Sequence, residues 1–143
     1  MFTSWAVHAP ILFHPKEDRQ LKAITVRRPY CYAIIDGVKT VENRARTTTH
    51  RGRIAIHAGL GLDRAPDLER VGYKTDDTLA QAVIGTVEIV DSVPYPLAGE
   101  PDPHGLRKNP LAHGPYCWLL ARPQYLPTPI PCRGQIAFFD VDL

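Results

Sequence analysis

The sequence has few cysteines and no metal-binding motif, and these absences narrow its chemistry. Its three cysteines, Cys31, Cys117 and Cys132, are odd in number and far apart along the 143 residues. Such spacing argues against a disulfide framework and is typical of a protein from a reducing compartment. The sequence contains no H-E-x-x-H motif, no C-x-x-C motif and no close Cys/His pair. We therefore expect no metal site and no cofactor.

Long hydrophobic runs are also missing. No apolar run approaches the roughly 18 residues that a membrane span needs. The first residues lack a basic segment, and Pro10 and Pro15 interrupt the apolar residues that follow. These features predict no signal peptide, no membrane partner and a cytoplasmic location. The sequence also lacks the G-x-S-x-G elbow of serine hydrolases. The P-loop and the G-x-G-x-x-G fingerprint, the usual signatures of nucleotide-binding loops, are absent as well.

Net charge is small, but it is unevenly distributed. The whole chain carries a formal charge of +2, whereas the segment from Arg27 to Arg53 has seven basic and two acidic residues. That segment is therefore +5 and the remainder is −3. A basic segment on a near-neutral protein indicates a surface for a polyanion such as a nucleic acid. A solvated basic face without a partner is the alternative.

The apolar pattern predicts one α+β domain over residues 21–143, preceded by an N-terminal extension over residues 1–20. A short helix begins at Pro29 and ends before Gly37, which suits a left-handed cap. One or two short helices are expected between residues 62 and 82. About six strands are predicted, over residues 21–26, 40–44, 53–58, 82–93, 116–121 and 135–141. This content predicts a small, curved, mostly antiparallel β-barrel with short helices on its rim.

The densest chemistry lies in the segment from Gly37 to Arg44, a G-x-K-x-x-E-x-R motif. Residues three apart in a strand point to opposite faces, so Lys39 and Glu42 cooperate only if Lys39 lies in the turn. Gly37 permits that turn, and the strand would then begin after Lys39. Lys39 and Glu42 are candidate catalytic residues. The alternative is a structural ion pair between Glu42 and Arg44, with Lys39 solvated.

Other candidate site residues flank this motif. Guanidinium groups bind phosphate with two parallel hydrogen bonds. The candidate phosphate-binding arginines are Arg27, Arg44, Arg46 and Arg51. Together with Lys39 they would hold a nucleic-acid backbone, while Tyr30 and Trp118 would stack on unpaired bases. His57, at the end of a strand, is a candidate base. For Trp118 the alternative is a core aromatic, and for His57 a hydrogen-bonded structural histidine.

Several segments resemble the ASCH domain, the activating-signal-cointegrator homology domain of the PUA-like superfamily. The resemblance begins with Leu21–Tyr30, continues through the G-x-K-x-x-E-x-R motif and includes Arg51–Ala58. It extends over Ile84–Val90, Gly114–Trp118 and Pro131–Gly134, so it covers roughly residues 21 to 143. The resemblance implies a PUA-like barrel with a cleft beside the first helix, and nucleic acid, chiefly RNA, as the partner.

The first functional expectation is therefore binding of single-stranded RNA or another nucleic acid, by a monomer or weak dimer. Some ASCH proteins are reported as ribonucleases. In a metal-independent cleavage, Lys39 would stabilise charge at phosphorus, and Glu42 or His57 would be the general base. A compact branch of the family resembles an amidohydrolase acting on acylated cytidine, but it has threonine at the position of Glu42, and Thr40 is offset by two residues. A non-catalytic sensor of modified nucleosides is the third expectation.

Overall fold

Within residues 19–143, six strands, two short α-helices and one 3₁₀ turn make up the fold. The computed structural model describes residues 19–143, so the N-terminal extension predicted over residues 1–20 lies almost entirely outside the described residues. The strands are β1 (Gln20–Arg28), β2 (Val41–Arg44), β3 (Gly52–Leu62), β4 (Ala82–Pro94), β5 (Tyr116–Pro131) and β6 (Phe139–Asp142). The helices are α1 (Tyr30–Ile35), α2 (Pro66–Arg70) and the 3₁₀ turn Leu106–Lys108.

All six strands belong to one sheet, in the order β2-β5-β4-β3-β1-β6. Only β1 and β3 are parallel, and every other neighbouring pair is antiparallel. The predicted number of strands and their mostly antiparallel pairing are confirmed. The sheet is not closed into the predicted barrel, because β2 and β6, each four residues long, end the sheet at opposite edges.

Apolar residues cover both faces of the central part of the sheet. Along β1, Ile24 and Val26 belong to one cluster of buried residues, whereas Leu21 and Ala23 belong to another. Such alternation is what the two-residue period of a strand dictates. The whole run from Ala82 to Val87 is buried, and β4 pairs with β3 on one side and β5 on the other. The strand predicted over residues 82–93 is therefore a central strand of the sheet.

Helix α1 packs on the larger of these clusters and fixes where the motif begins. Every residue of α1 after Tyr30 is buried. Gly37 then adopts a φ of 83°, and the N–H groups of Val38 and Lys39 both donate to the carbonyl of Ala33 at 3.0 Å. This left-handed glycine ends the helix as predicted. Lys39 therefore lies in the turn, four residues after α1 ends at Ile35 and two residues before β2 starts at Val41.

Between residues 62 and 82 there is one helix, α2, within the one or two expected, and its N-cap is Ala65. The last two strands differ from the sequence-based prediction. The last strand is confined to Phe139–Asp142, whereas β5 extends far beyond the predicted residue 121, to Pro131. The later part of β5 has ladder partners in β4 alone, which leaves its other edge free for prolines. No helix within residues 19–143 has the length and apolar character needed to cross a membrane.

Candidate functional site

A cleft opens where β1, α1 and β2 meet, and it is called the motif cleft below. Its volume is about 480 Å³. Its lining residues are Thr25, Val26, Arg27, Tyr30, Lys39, Glu42, Asn43, Arg44, Ala45, Asp63 and His113. Five of the predicted site residues therefore meet in one place, although they come from three separate elements and the turn between α1 and β2.

A buried ion network forms the floor of the motif cleft. The Lys39 Nζ lies 3.3 Å from Glu42 Oε1 and also donates to the carbonyl of Val41. The Arg44 Nε donates to Glu42 Oε2 at 2.9 Å. Both carboxylate oxygens of Glu42 thus accept from a cation, as burial of a charge requires. The prediction that Lys39 reaches Glu42 from the turn is confirmed, and the alternative of a solvated Lys39 is wrong because this residue is 5% exposed.

Arg44 connects the ion network to the surface of the cleft. Its Nη2 donates to the carbonyl of Thr25 at 3.0 Å, and its guanidinium carbon lies 5.4 Å from the centre of the Trp118 ring. The side chain of Arg44 is 26% exposed, compared with 9% for the side chain of Glu42. Arg44 is therefore the member of the network that a ligand reaches most easily.

The rim of the cleft carries a second, exposed ion pair. Arg27 Nε donates to both carboxylate oxygens of Asp63, at 2.8 and 3.0 Å. The side chain of Arg27 is 64% exposed, so it retains donors that face solvent. With Arg27, Lys39 and Arg44 opposed by Glu42 and Asp63, the charged side chains lining the cleft have a small positive excess.

Tyr30 forms an aromatic wall of the cleft. Its hydroxyl donates to Asp67 Oδ1 at 2.7 Å, and the Lys39 Nζ lies 5.9 Å from its ring centre. Burial and the hydrogen bond to Asp67 raise the pKa of Tyr30 to about 12. The phenol is therefore neutral at physiological pH, and its half-buried ring offers a face to a base.

Arg46, Arg51 and Trp118 do not line the motif cleft. Arg46 is exposed just beyond the lining residue Ala45, and its carbonyl accepts a 3.0 Å hydrogen bond from the Trp118 indole. The Arg51 guanidinium is paired with Asp91 at 3.1 Å.

Trp118 belongs to the core rather than to an open surface. It is 6% exposed, and its ring stacks on Phe138 with centroids 5.5 Å apart and an interplanar angle of 8°. A base could reach this ring only by displacing its neighbours. The structure therefore favours the core alternative for Trp118.

His57 also lies outside the motif cleft. It is fully buried, its Nε2 donates to the carbonyl of Cys132 at 2.7 Å, and its Nδ1 lies 3.2 Å from Thr25 Oγ1. Gly134 packs directly over the imidazole ring. With both ring nitrogens occupied and no exposed surface, His57 has the environment of a structural histidine.

Sequence reasoning missed six of the lining residues, and three of these six, Asn43, Asp63 and His113, carry an amide, a carboxylate or an imidazole. Asn43 stands inside the motif, and a polar side chain between Glu42 and Arg44 was the available signal. Its Nδ2 donates to the carbonyl of Leu111, and its Oδ1 accepts from the N–H of His113, both at 3.0 Å. No local pattern in the sequence marks Asp63 and His113, because these two residues reach the cleft only through the tertiary fold.

Within residues 19–143, no group of three or more histidine, cysteine, aspartate or glutamate residues is arranged to hold a metal ion. A comparison of the chain with models of known protein families finds no match, and a comparison with curated proteins finds none either. The geometry and charge of the motif cleft are therefore the observations that bear on function.

Proposed function

We propose that residues 21–143 form an ASCH-like domain of PUA-like type that binds single-stranded RNA, or another nucleic acid, with one nucleotide in the motif cleft. The observation that carries the proposal is the convergence of Arg27, Lys39 and Arg44 with the ring of Tyr30 in one cleft. Cations and an aromatic face side by side are the combination that single-stranded nucleic acids require.

The cations of the motif cleft differ in whether they can reach a phosphate. Arg27 and the outer part of Arg44 are exposed enough to donate to a phosphate, whereas Lys39 is held inside by Val41 and Glu42. Two phosphate contacts predict a logarithmic salt slope of about −1.4 for a single strand. The affinity should therefore fall with added salt, but less steeply than for a protein with a long basic groove.

The geometry supports binding better than catalysis. Cleavage through a general base needs a group that accepts a proton, but both oxygens of Glu42 already accept from cations. His57 is enclosed outside the cleft, as described above. For the amidohydrolase alternative, Glu42 stands where that branch has threonine, and Thr40 is exposed and does not line the cleft.

The size of the cleft favours a second candidate, a free or modified nucleoside as the ligand. A volume of about 480 Å³ is in the range of small-molecule sites, and the cleft charge is close to balanced. A thermal-shift comparison of nucleosides with RNA oligonucleotides separates the two candidates, because each ligand stabilises the folded protein according to its affinity. Stabilisation by a nucleoside alone would replace the RNA proposal with the sensor proposal.

The decisive experiment compares two arginines in closely similar environments. Arg27 and Arg122 have side chains that are each 64% exposed, and each is paired with a carboxylate, Asp63 for Arg27 and Glu88 for Arg122. Only Arg27 lines the motif cleft. We expect Arg27→Gln to weaken binding of a ten-nucleotide single-stranded RNA about tenfold, because a charge-assisted contact is lost. Arg122→Gln should change the affinity less than about twofold.

The readout is fluorescence anisotropy at low and at physiological salt. Equal effects of the two variants would show that binding, if present, does not use the motif cleft. A wild-type protein that binds no single-stranded RNA at either salt concentration would contradict the proposal outright.

A further inference from the structure

We infer that His113 is a ligand-contacting residue of the motif cleft and that Asn43 positions it; this inference rests on the proposed RNA-binding function. The juxtaposition joins two segments far apart in the chain, a short edge strand and a long proline-rich loop. Neither residue stood out in the sequence, and the cleft brings them together.

The loop that carries His113 is anchored on both sides of that residue. Leu111 and Ala112, which precede it, are 2% and 7% exposed and pack in two separate hydrophobic clusters. After it the chain enters β5, where the buried Cys117 directs its Sγ at the carbonyl of His113, 3.4 Å away. An exposed histidine between such anchors has a fixed backbone.

Asn43 completes the anchoring from the side of the motif. Its amide accepts from the N–H of His113 and donates to the carbonyl of Leu111, each at 3.0 Å, so one side chain holds the loop at two points. Within residues 19–143, the hydrogen bonds to His113 use its backbone alone. The backbone of His113 is thus held in place while its imidazole at the cleft wall remains available to a ligand. Pre-organised ligand contacts share this arrangement.

The ligand group that this imidazole fits is a phosphodiester of the bound strand. The charged or phenolic side chains that also line the cleft are Arg27, Tyr30, Lys39, Glu42, Arg44 and Asp63. Unlike those types of side chain, histidine ordinarily changes charge between pH 5 and 8. A protonated imidazole attracts phosphate and a neutral one does so less, so affinity should fall as pH rises through this range.

The experiment measures RNA affinity between pH 5.5 and 8.0 for wild type, His113→Ala, Asn43→Ala and the double variant. The probe is a ten-nucleotide oligouridylate without terminal phosphates, carrying a fluorophore whose emission does not change over this pH range. His104→Ala is the matched control, because His104 is an exposed histidine of the same loop region and lies at a different pocket, beside Pro103 and Leu106.

We expect wild type and His104→Ala to lose about fivefold in affinity from pH 5.5 to 8.0, the size of one partly exposed charge contact. His113→Ala should show a flat profile. Asn43→Ala should flatten it in part, and the double variant should match His113→Ala, since Asn43 acts through His113. Thermal unfolding of each variant confirms that the folded protein is being compared.

A His113→Ala profile that keeps the wild-type pH dependence, while Arg27→Gln still weakens binding, would overturn the inference and leave the proposed function standing. Additive losses in the double variant would overturn the positioning role of Asn43. Failure of wild type to bind RNA at any pH would overturn both proposals together.

Discussion

The motif cleft and the surroundings of His57 both bury ionisable side chains against the same residue of β1. The backbone carbonyl of Thr25 accepts from Arg44 in the cleft, and its hydroxyl pairs with His57 in the core. The two regions differ in what adjoins them. The ion network borders a cavity of about 480 Å³, whereas His57 is closed in by Gly134 and is 0% exposed.

This difference shows that burial of an ionisable group does not by itself mark a functional site. Ion networks with a structural role and binding sites can both hold such groups. What distinguishes the cleft is that a partly exposed cation, Arg44, and a half-buried ring, Tyr30, complete the buried network at a solvent-accessible surface. Around His57 every polar atom of the ring has a partner, and the residue is 0% exposed, so a ligand does not reach it.

The strongest test of the comparison removes the carboxylate that holds the cleft together. Glu42→Ala leaves Lys39 buried without a counter-charge, so we expect the free energy of unfolding to fall by about 3 kcal/mol. The matched surface variant Glu88→Ala breaks the exposed pair with Arg122 and should cost less than about 1 kcal/mol. Urea unfolding of both variants measures the difference. Equal losses would mean that the cleft network is as solvated as the surface pair.

The second test removes the enclosed histidine. His57→Ala leaves the carbonyl of Cys132 and the hydroxyl of Thr25 without their partner, and we expect a loss of about 2 kcal/mol in unfolding free energy. The RNA affinity of the folded variant should equal that of wild type. A folded variant with impaired binding would return His57 to the functional site and remove the distinction between the two regions.

A third test crowds the space over His57 and keeps the imidazole in place. A Cβ on Gly134 would clash with Thr25 Oγ1 and would lie 2.8 Å from Cε1 and 2.9 Å from Nδ1 of His57, closer than side chains tolerate. We therefore expect Gly134→Ala to lower the unfolding free energy by about 1 kcal/mol, with unchanged RNA affinity. Thermal unfolding and anisotropy measure the two quantities. Wild-type stability would show that the segment around Gly134 moves aside at little cost.

The smallest expected effect at neutral pH concerns the aromatic wall of the cleft. The folded protein raises the pKa of Tyr30 from 10.0 to about 12, so its contribution to stability is complete below pH 10 and is lost between pH 10 and 12. Tyr30→Phe should therefore lose less stability than wild type when the pH is raised from 9 to 11. Burial likewise raises the pKa of Tyr32 to about 12. Tyr32→Phe is therefore the positive control, and it should reduce the alkaline loss of stability by a similar amount. An unchanged alkaline loss in Tyr30→Phe would show that Tyr30 is not buried against Asp67.

Local chemistry made part of this fold and site predictable. Gly37 and the strand period together placed Lys39 in the turn, and the contact with Glu42 confirms that geometry. Long-range geometry was not accessible. The bond from His57 to Cys132 joins residues 75 positions apart, and the one between Asn43 and His113 joins residues 70 apart. Whether the sheet closes is likewise decided by the pairing of distant edges rather than by any local pattern.

The proline-rich end of β5 has a consequence for how molecules of this protein meet one another. Pro127, Pro129 and Pro131 recur at every second position, and among the described residues this part of β5 has ladder partners in β4 alone. Proline has no N–H to donate, and Pro127 and Pro129 lie where the register between β4 and β5 shifts, between the pairs Val83–Ile130 and Gly85–Tyr125. Missing donors and an interrupted ladder both hinder pairing with a strand of another molecule, which protects this end of β5 from edge-to-edge aggregation.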